Sequence, residues 1–152
     1  MELELDLQDV SASGLVPARE DLARWVQAAL AGRRERAELS LRVVDEAEGA
    51  ELNRHYRGRA GPTNVLSFPF EPPPGVPELD LIGDLVVCAP VVEREAQQQG
   101  KPLAAHWAHL VIHGVLHLLG FDHQDPAEAA EMEALETHIL GGLGFPPPYE
   151  DS

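Results

Sequence analysis

The sequence predicts a single α+β domain in which a mixed sheet of about four strands packs against about five helices. Segments with apolar residues at every second position indicate strands. They are interspersed with segments whose apolar residues recur every three or four positions, which indicates helices. The 152 residues are 44% hydrophobic, enough for one core, and no change of composition marks a domain boundary.

The predicted strands are residues 2–7, 38–45, 65–70 and 81–89. The third follows a turn at residues 60–64 and precedes a proline-rich loop at residues 71–78. Pro69 indicates that the third strand lies at an edge or is ending, because proline donates no backbone hydrogen bond. Gly83 and Asp84 interrupt the fourth strand.

The predicted helices are residues 17–30, 46–56, 90–100, 102–119 and 126–140. Asp45 is placed to cap the second helix, and Asp125 with Glu128 forms a capping box for the last. Glycines near residue 142 are expected to end the last helix, and residues 146–152 are expected to form a frayed tail.

The segment of residues 113–123, HGVLHLLGFDH, carries the strongest functional pattern. His113 and His117 lie four residues apart, so on a helix their side chains share one face. Gly120 can end that helix in a left-handed conformation, which turns the chain back and brings His123 toward the other two. Three imidazoles with an open fourth position are the ligand set of a catalytic zinc ion. We therefore predict one zinc ion on His113, His117 and His123, carried by a helix of the zinc-hydrolase type.

Other residues compete for the ligand role. His109 and His113 have the same four-residue spacing, but only His113 and His117 are followed by a glycine and a returning histidine. His109 is therefore predicted as a neighbour that hydrogen-bonds to the site. Cys88, the single cysteine, lies in an apolar segment, so we prefer a buried thiol to a fourth metal ligand.

The spacing H-x-x-x-H-x-x-G-x-x-H matches that of the metzincin metalloproteases except at one position. Those enzymes carry a glutamate directly after the first histidine, and it activates water for peptide cleavage. Gly114 occupies that position here. The sequence thus predicts the metal site without the usual peptidase base, and a peptidase would need Asp84 or Asp122 in its place.

The formal net charge is −15, from 26 acidic and 11 basic residues. Taken alone, this charge argues against a nucleic-acid partner, because such binding depends largely on Lys and Arg contacts to phosphates. The basic residues are clustered, however: Arg54, Arg57 and Arg59 fall within six positions, and three more arginines lie in residues 33–36. A local positive cleft is compatible with this distribution.

Targeting signals are not evident in the sequence. The first residues are acidic and alternating, unlike a secretory signal peptide. No apolar run approaches the roughly 20 residues of a membrane span. A cytoplasmic location without a membrane partner is therefore expected.

Several motifs together resemble the YbeY family of bacterial metal-dependent endoribonucleases. In order, they are Leu52-Asn53, Tyr56-Arg57-Gly58, residues 62–69 (PTNVLSFP), Gly83-Asp84-Leu85 and the histidine segment. The resemblance extends from the second helix to the last. Asn64 stands where many members have aspartate.

The resemblance implies one endoribonuclease domain over residues 1–152 that takes part in small-subunit ribosomal RNA maturation and ribosome quality control. It implies zinc on His113, His117 and His123, and Arg57 as the functional arginine. The implied partners are single-stranded RNA, ribosomal RNA, ribosomal proteins or a ribosome-associated GTPase, and not DNA. A zinc-activated water and the 2′-hydroxyl of the RNA both fit as the nucleophile.

Two alternatives to this function stay open. One is a zinc-dependent hydrolase that acts on peptides. The other is a non-enzymatic ribosome assembly factor with a structural metal, for which a closed site with His109 or Cys88 as fourth ligand would be expected. Local pattern alone would make Arg57 a helix-end arginine that caps backbone carbonyls.

Overall fold

The computed structural model describes residues 1–75, 80–122 and 124–149. These residues form one mixed sheet with helices on both faces, so the predicted α+β class is confirmed. In chain order the elements are β1 (Glu2–Asp9), α1 (Arg19–Leu30), β2 (Arg36–Val44), α2 (Glu46–Arg57), β3 (Val65–Pro69), β4 (Leu81–Cys88), α3 (Ala89–Gln99), α4 (Leu103–Leu118) and α5 (Pro126–Gly142).

The sheet has the strand order β1-β2-β4-β3. Strands β1, β2 and β4 run parallel, and β3 pairs antiparallel with β4 at one edge. Pro69 indicated that its strand lies at an edge of the sheet or ends there. Both are confirmed, because β3 is an edge strand and Pro69 is its last residue. Strand β4 continues through Gly83 and Asp84, but its register against β2 shifts just before them, between Leu81 and Gly83.

The sheet separates two cores, because successive residues of a strand face opposite sides. On one face, Leu85 and Val87 of β4 join a large core with α1, α4 and α5. On the other, Val86 and Cys88 join a smaller core with Leu66 of β3. Cys88 is therefore the predicted buried thiol, and burial raises the pKa of that thiol. Cys88 lies on the face of the sheet opposite to Leu85, and Leu85 packs on the side of α4.

Helix α4 lies at the centre of the large core. It contacts α1, α3 and α5 as well as strands β3 and β4. Helix α1 packs in the same core through its five buried apolar residues, Leu22, Trp25, Val26, Ala29 and Leu30. Packing from several sides fixes the backbone of α4, which holds the histidines. None of the helices in the described ranges is both long and apolar enough to cross a bilayer.

The helix ends agree with the predicted positions, with differences in detail. Asp125 caps α5 by accepting a hydrogen bond from the Glu128 N–H at 2.9 Å, as predicted. Asp45 precedes α2, but its carboxylate accepts from the Ala12 N–H at 3.0 Å instead of capping its own helix. Helix α5 extends to Gly142, beyond the predicted end at residue 140.

The described part of the C-terminal segment is tied to the rest of the chain. The Lys101 ammonium group donates to the Pro148 carbonyl at 3.1 Å. The ring of Phe145 packs edge-on against Trp25 with 6.0 Å between centroids. These contacts attach Phe145 and Pro148 to the domain, and the frayed tail over residues 146–152 stays a prediction. Residues 150–152 lie outside the described ranges.

Candidate functional site

Helix α4 presents His113 and His117 side by side. Their ring centroids are 4.7 Å apart and the rings are inclined at 74°. Both rings line a cleft of about 430 Å³, whose other walls come from the end of α2, the following loop and β3. The four-residue spacing therefore has the effect that the sequence predicts: the two imidazole rings lie on the same face of the helix and line the same cleft.

The predicted turn after α4 is also present. Gly120 has φ +102°, and its N–H donates to the His117 carbonyl at 3.0 Å. The Phe121 N–H donates to the Leu116 carbonyl at 3.0 Å, which completes a Schellman motif. The prediction that Gly120 ends the helix in a left-handed conformation is confirmed. His123, the third predicted ligand, lies outside the described residues.

The donor set at this point suits a metal ion. Within the described ranges no group of three or more His, Cys, Asp or Glu side chains is arranged as a metal site, and His113 and His117 are the two predicted ligands that these ranges contain. Two imidazoles on consecutive helical turns are nevertheless the arrangement from which zinc and similar divalent metals are bound.

Behind His113 lies a buried carboxylate. The Nδ1–H of His113 donates to Oε1 of Glu136 on α5 at 2.7 Å, and Glu136 is fully buried. When Nδ1 carries the proton, the free lone pair of the imidazole lies on Nε2. A histidine whose Nδ1–H is bound by a carboxylate therefore binds metal through Nε2. Carboxylates in this position fix the tautomer and the orientation of metal-binding histidines.

The electrostatics of Glu136 favour its ionised form. Burial alone raises the pKa of this carboxyl, but hydrogen bonds from His109 and His113, and the charges of both rings, lower the pKa to about 2. Glu136 is thus an acceptor at neutral pH. His109 Nε2 lies 3.3 Å from Oε1 of Glu136, so His109 has the neighbouring role that the sequence predicts.

The C-terminal segment completes this network. The hydroxyl of Tyr149 donates to Oε2 of Glu136 at 2.9 Å, and His109 Nε2 lies 3.1 Å from the same hydroxyl. Burial, followed by the charge of Glu136, raises the pKa of the Tyr149 hydroxyl, so it keeps its proton. Both oxygens of the buried carboxylate therefore receive donors.

Gly114 faces the sheet. A Cβ atom at this position would lie 2.8 Å from Cδ2 of the buried Leu85 and 3.4 Å from Oγ of Ser67. The Ser67 hydroxyl donates to the Gly114 carbonyl at 3.2 Å, which ties β3 to α4. A glutamate side chain at this position would enter the helix–sheet interface. The packing therefore leaves little room for a larger residue at position 114, and the glycine present supplies no base.

The two aspartates considered as substitute bases lie elsewhere. Asp84 pairs across the sheet with Ser40 and is hydrogen-bonded to its hydroxyl. It alternates with Leu85, so it projects from the face of the sheet opposite to α4. Asp122 lines a separate cavity with Gly120 and Glu128. Neither aspartate is among the described residues that line the cleft of the histidines.

Arg57 lines the same cleft as His113 and His117. Within the described ranges its side chain donates no hydrogen bond to the carbonyls at the end of α2, where Gly58, at φ +66°, donates its own N–H to the Arg54 carbonyl at 3.0 Å. Among the 11 basic residues, only Arg54, Arg57 and Arg59 have side chains with neither an ion pair nor a hydrogen bond to any part of the chain that the structure describes. Of these three, Arg57 lines the cleft, so one arginine charge of the predicted cluster lies there.

Three residues of this region were not predicted. Glu136 lies on the same face of α5 as the buried residues Met132, Ile139 and Leu140. Its helical spacing from these apolar residues could therefore have shown that its carboxylate is buried. Tyr149 lies in an irregular segment and gives no periodic signal. Tyr56, at the rim of the cleft, appeared only as part of a motif.

Comparisons with known proteins agree with this structure. The solution structure of TM1509 from Thermotoga maritima aligns over 98% of this chain and 99% of that chain, with a TM-score of 0.60 and 24% identity. At that identity the likeness concerns the fold alone. A family model described as endoribonuclease YbeY matches residues 11–144. Because that match spans most of the chain, the protein belongs to the endoribonuclease YbeY family, whose enzymes are RNA-cleaving hydrolases.

Proposed function

We propose that this protein is a zinc-dependent endoribonuclease specific for single-stranded RNA, acting in small-subunit ribosomal RNA maturation and ribosome quality control. The observation that carries the proposal is the cleft that brings Arg57 together with His113 and His117. Family membership supplies the reaction class. A cytoplasmic location, with ribosomal proteins or a ribosome-associated GTPase as further partners, belongs to the same proposal.

His113, His117 and His123 are the proposed ligands of one zinc ion. The 4.7 Å separation of the first two rings and the carboxylate of Glu136 behind His113 support this assignment. When bound, zinc polarises phosphoryl oxygens and lowers the pKa of water to about 7. That property makes a glutamate at position 114 unnecessary for activating water.

Arg57 is the proposed catalytic arginine. Attack on a phosphodiester increases the negative charge on its non-bridging oxygens, and a guanidinium can donate to two of them at once. Since Arg57 has no ion pair within the described ranges, its charge is not neutralised before substrate arrives. Its place in the cleft puts this charge on the same side as the histidines.

The residues of the cleft would position the phosphodiester and supply positive charge beside it. Two nucleophiles are compatible with that arrangement: a water molecule and the 2′-hydroxyl of the RNA. The two routes give different products. A 2′-hydroxyl attack leaves a 2′,3′-cyclic phosphate, whereas attack by water leaves a free phosphate monoester. Analysis of the product ends by mass spectrometry assigns the route.

The test is cleavage of a single-stranded RNA by the purified protein, with its zinc content measured. His117→Ala is prepared in parallel, and His138→Ala serves as the matched control because His138 is exposed on α5. We expect cleavage by the native protein and by His138→Ala, and its loss in His117→Ala. A double-stranded RNA of the same sequence should be cut poorly.

Equal cleavage by all three proteins would mean a contaminating nuclease. If none of them cuts although the native protein holds about one zinc ion, the nuclease proposal fails. A ribosome assembly factor with a structural metal then becomes the better explanation, to be sought by co-purification with small-subunit particles.

A further inference from the structure

The last turn of α2 places an aromatic side chain outside the core, at the rim of the cleft. Tyr56 is 61% exposed, the largest fraction among the exposed large hydrophobic side chains of the described residues. Its hydroxyl has no hydrogen-bond partner within those residues. An aromatic ring is usually buried for its large apolar surface. Its exposure beside a functional cleft therefore points to a ligand.

The ring of Tyr56 is held in place by its neighbours. Its centroid lies 4.9 Å from that of His55, at 84°, and 4.9 Å from that of Phe68 on β3, at 65°. Such edge-to-face contacts restrict the rotation of a ring without covering all of its surface. A side chain fixed before binding loses little entropy when a ligand arrives.

The charges around this ring identify the kind of ligand. Arg57, the next residue, lines the same cleft as Tyr56. Arg54 and Arg59 share the segment, and all three guanidinium groups are without ion pairs among the described residues. An exposed ring beside unpaired cations fits a molecule that carries both flat rings and negative charges.

Single-stranded nucleic acid has both features. Proteins bind it by combining cations along the sugar-phosphate backbone with aromatic side chains on which bases stack. An acidic protein surface would satisfy the arginines but would not need the tyrosine ring. The combination in this segment therefore favours RNA.

We propose that Tyr56 is a stacking platform for one base of the single-stranded RNA, next to the phosphate that Arg57 contacts. This proposal rests on the proposed function and adds a nucleobase subsite to it. A base within a duplex stays stacked on its neighbours and cannot turn onto Tyr56. The platform thus provides a physical reason for selecting unpaired RNA.

The test is the cleavage kinetics of a short single-stranded RNA. Tyr56→Ala should raise KM by roughly 5- to 150-fold, the range that loss of one base–aromatic contact produces. Tyr56→Phe keeps the ring and should stay within about twofold of the native protein. Phe70→Ala is the matched control, because Phe70 is an exposed aromatic residue that does not line the cleft. It should leave KM unchanged.

A second measurement uses the native protein with substrates in which one base at a time is removed. One abasic position should raise KM by about the factor seen for Tyr56→Ala. Combining that substrate with the variant should add no further effect, because both changes remove the same contact. This series tests the proposal even if a variant folds poorly.

Three results would overturn the platform while leaving the nuclease proposal intact: an unchanged KM in Tyr56→Ala, equal damage in Tyr56→Phe and Tyr56→Ala, or additive effects of the variant and the abasic position. Loss of binding to a ribosomal protein in Tyr56→Ala, with unchanged KM for RNA, would assign the ring to a protein partner instead. If the native protein cuts no RNA, the proposed function itself fails.

Discussion

Glu136 Oε1 lies 2.7 Å from His113 Nδ1, so a fully buried carboxylate on α5 fixes the orientation of a histidine on α4. The two residues are 23 positions apart in the chain and meet because the helices pack against each other. The proposed metal ligand is therefore positioned from the side opposite to the cleft.

Replacing Glu136 by glutamine should weaken zinc binding by about 10- to 100-fold, the usual effect of losing a carboxylate behind a ligand histidine. The amide keeps the size of the side chain but loses its negative charge. Competition with a chromophoric chelator measures the affinity. Glu133→Gln is the control, because Glu133 is exposed on the same helix. Equal zinc affinity in both variants would contradict the role of Glu136.

Tyr149→Phe should reduce zinc affinity by a smaller factor, roughly two- to tenfold, because it removes one of the donors that hold Glu136. Loss of a hydrogen bond to a charged group should also lower the free energy of unfolding by about 1.5 to 3 kcal/mol. Chelator competition and urea denaturation check the two effects. A change in stability with no change in zinc affinity would limit Tyr149 to a packing role.

Arg57→Ala should lower kcat/KM for RNA cleavage by about 10²- to 10³-fold, the usual loss when one group that stabilises the transition state is removed. Zinc content should stay the same, since Arg57 is not a proposed ligand. Arg24→Ala provides the control: Arg24 is an exposed arginine on α1 that pairs with Asp21. Undiminished cleavage in Arg57→Ala would exclude the proposed catalytic role.

Gly114→Glu restores the full spacing of a zinc peptidase, yet it should create no peptidase activity. The new side chain would enter the interface with Leu85, where a Cβ alone already comes within 2.8 Å. Overpacking and a buried charge together should cost about 3 kcal/mol or more of stability. Urea denaturation and a casein assay measure the two outcomes. A stable variant that cleaves casein would revive the peptidase alternative.

Stability should fall at acidic pH partly because of His106. Burial lowers the pKa of this histidine below 6.5, against an opposing hydrogen bond to Glu95. Between the folded-state pKa and 6.5 the unfolded state binds more protons, so the free energy of unfolding decreases as the pH falls through that window. The slope from one proton is at most about 1.4 kcal/mol per pH unit.

His106→Gln should remove that contribution. Urea denaturation at several pH values between 5 and 8 compares the two proteins. Their difference in stability should change below pH 6.5 and stay constant above it. Parallel curves over the whole range would show that His106 does not titrate as proposed.

Periodic patterns predicted most of the fold. The buried face of α1, the edge position of β3 and the left-handed end of α4 at Gly120 all follow from local sequence, because spacing and backbone conformation are local properties. The convergence of His113 and His117 is local in the same sense. Four residues of helix are sufficient to predict it.

The remaining features depend on packing between distant segments. Asp45 caps no helix because Ala12 reaches its carboxylate, and Tyr149 is held because Glu136 is buried next to it. The residues around Asp45 and Tyr149 in the sequence do not reveal that Ala12 and Glu136 are their partners. The close approach of Gly114 to Leu85 is of the same kind. The sequence shows a glycine there, but only the packed helix and sheet explain it.

The three arginines without an ion pair in the described ranges also determine how binding should respond to salt. Each phosphate neutralised on a single strand releases counterions and contributes about −0.7 to the slope of log affinity against log salt concentration. Arg54, Arg57 and Arg59 together give a slope near −2, while the other eight basic residues already have partners. The affinity for RNA should therefore vary little with ionic strength, unlike that of a broadly basic nuclease.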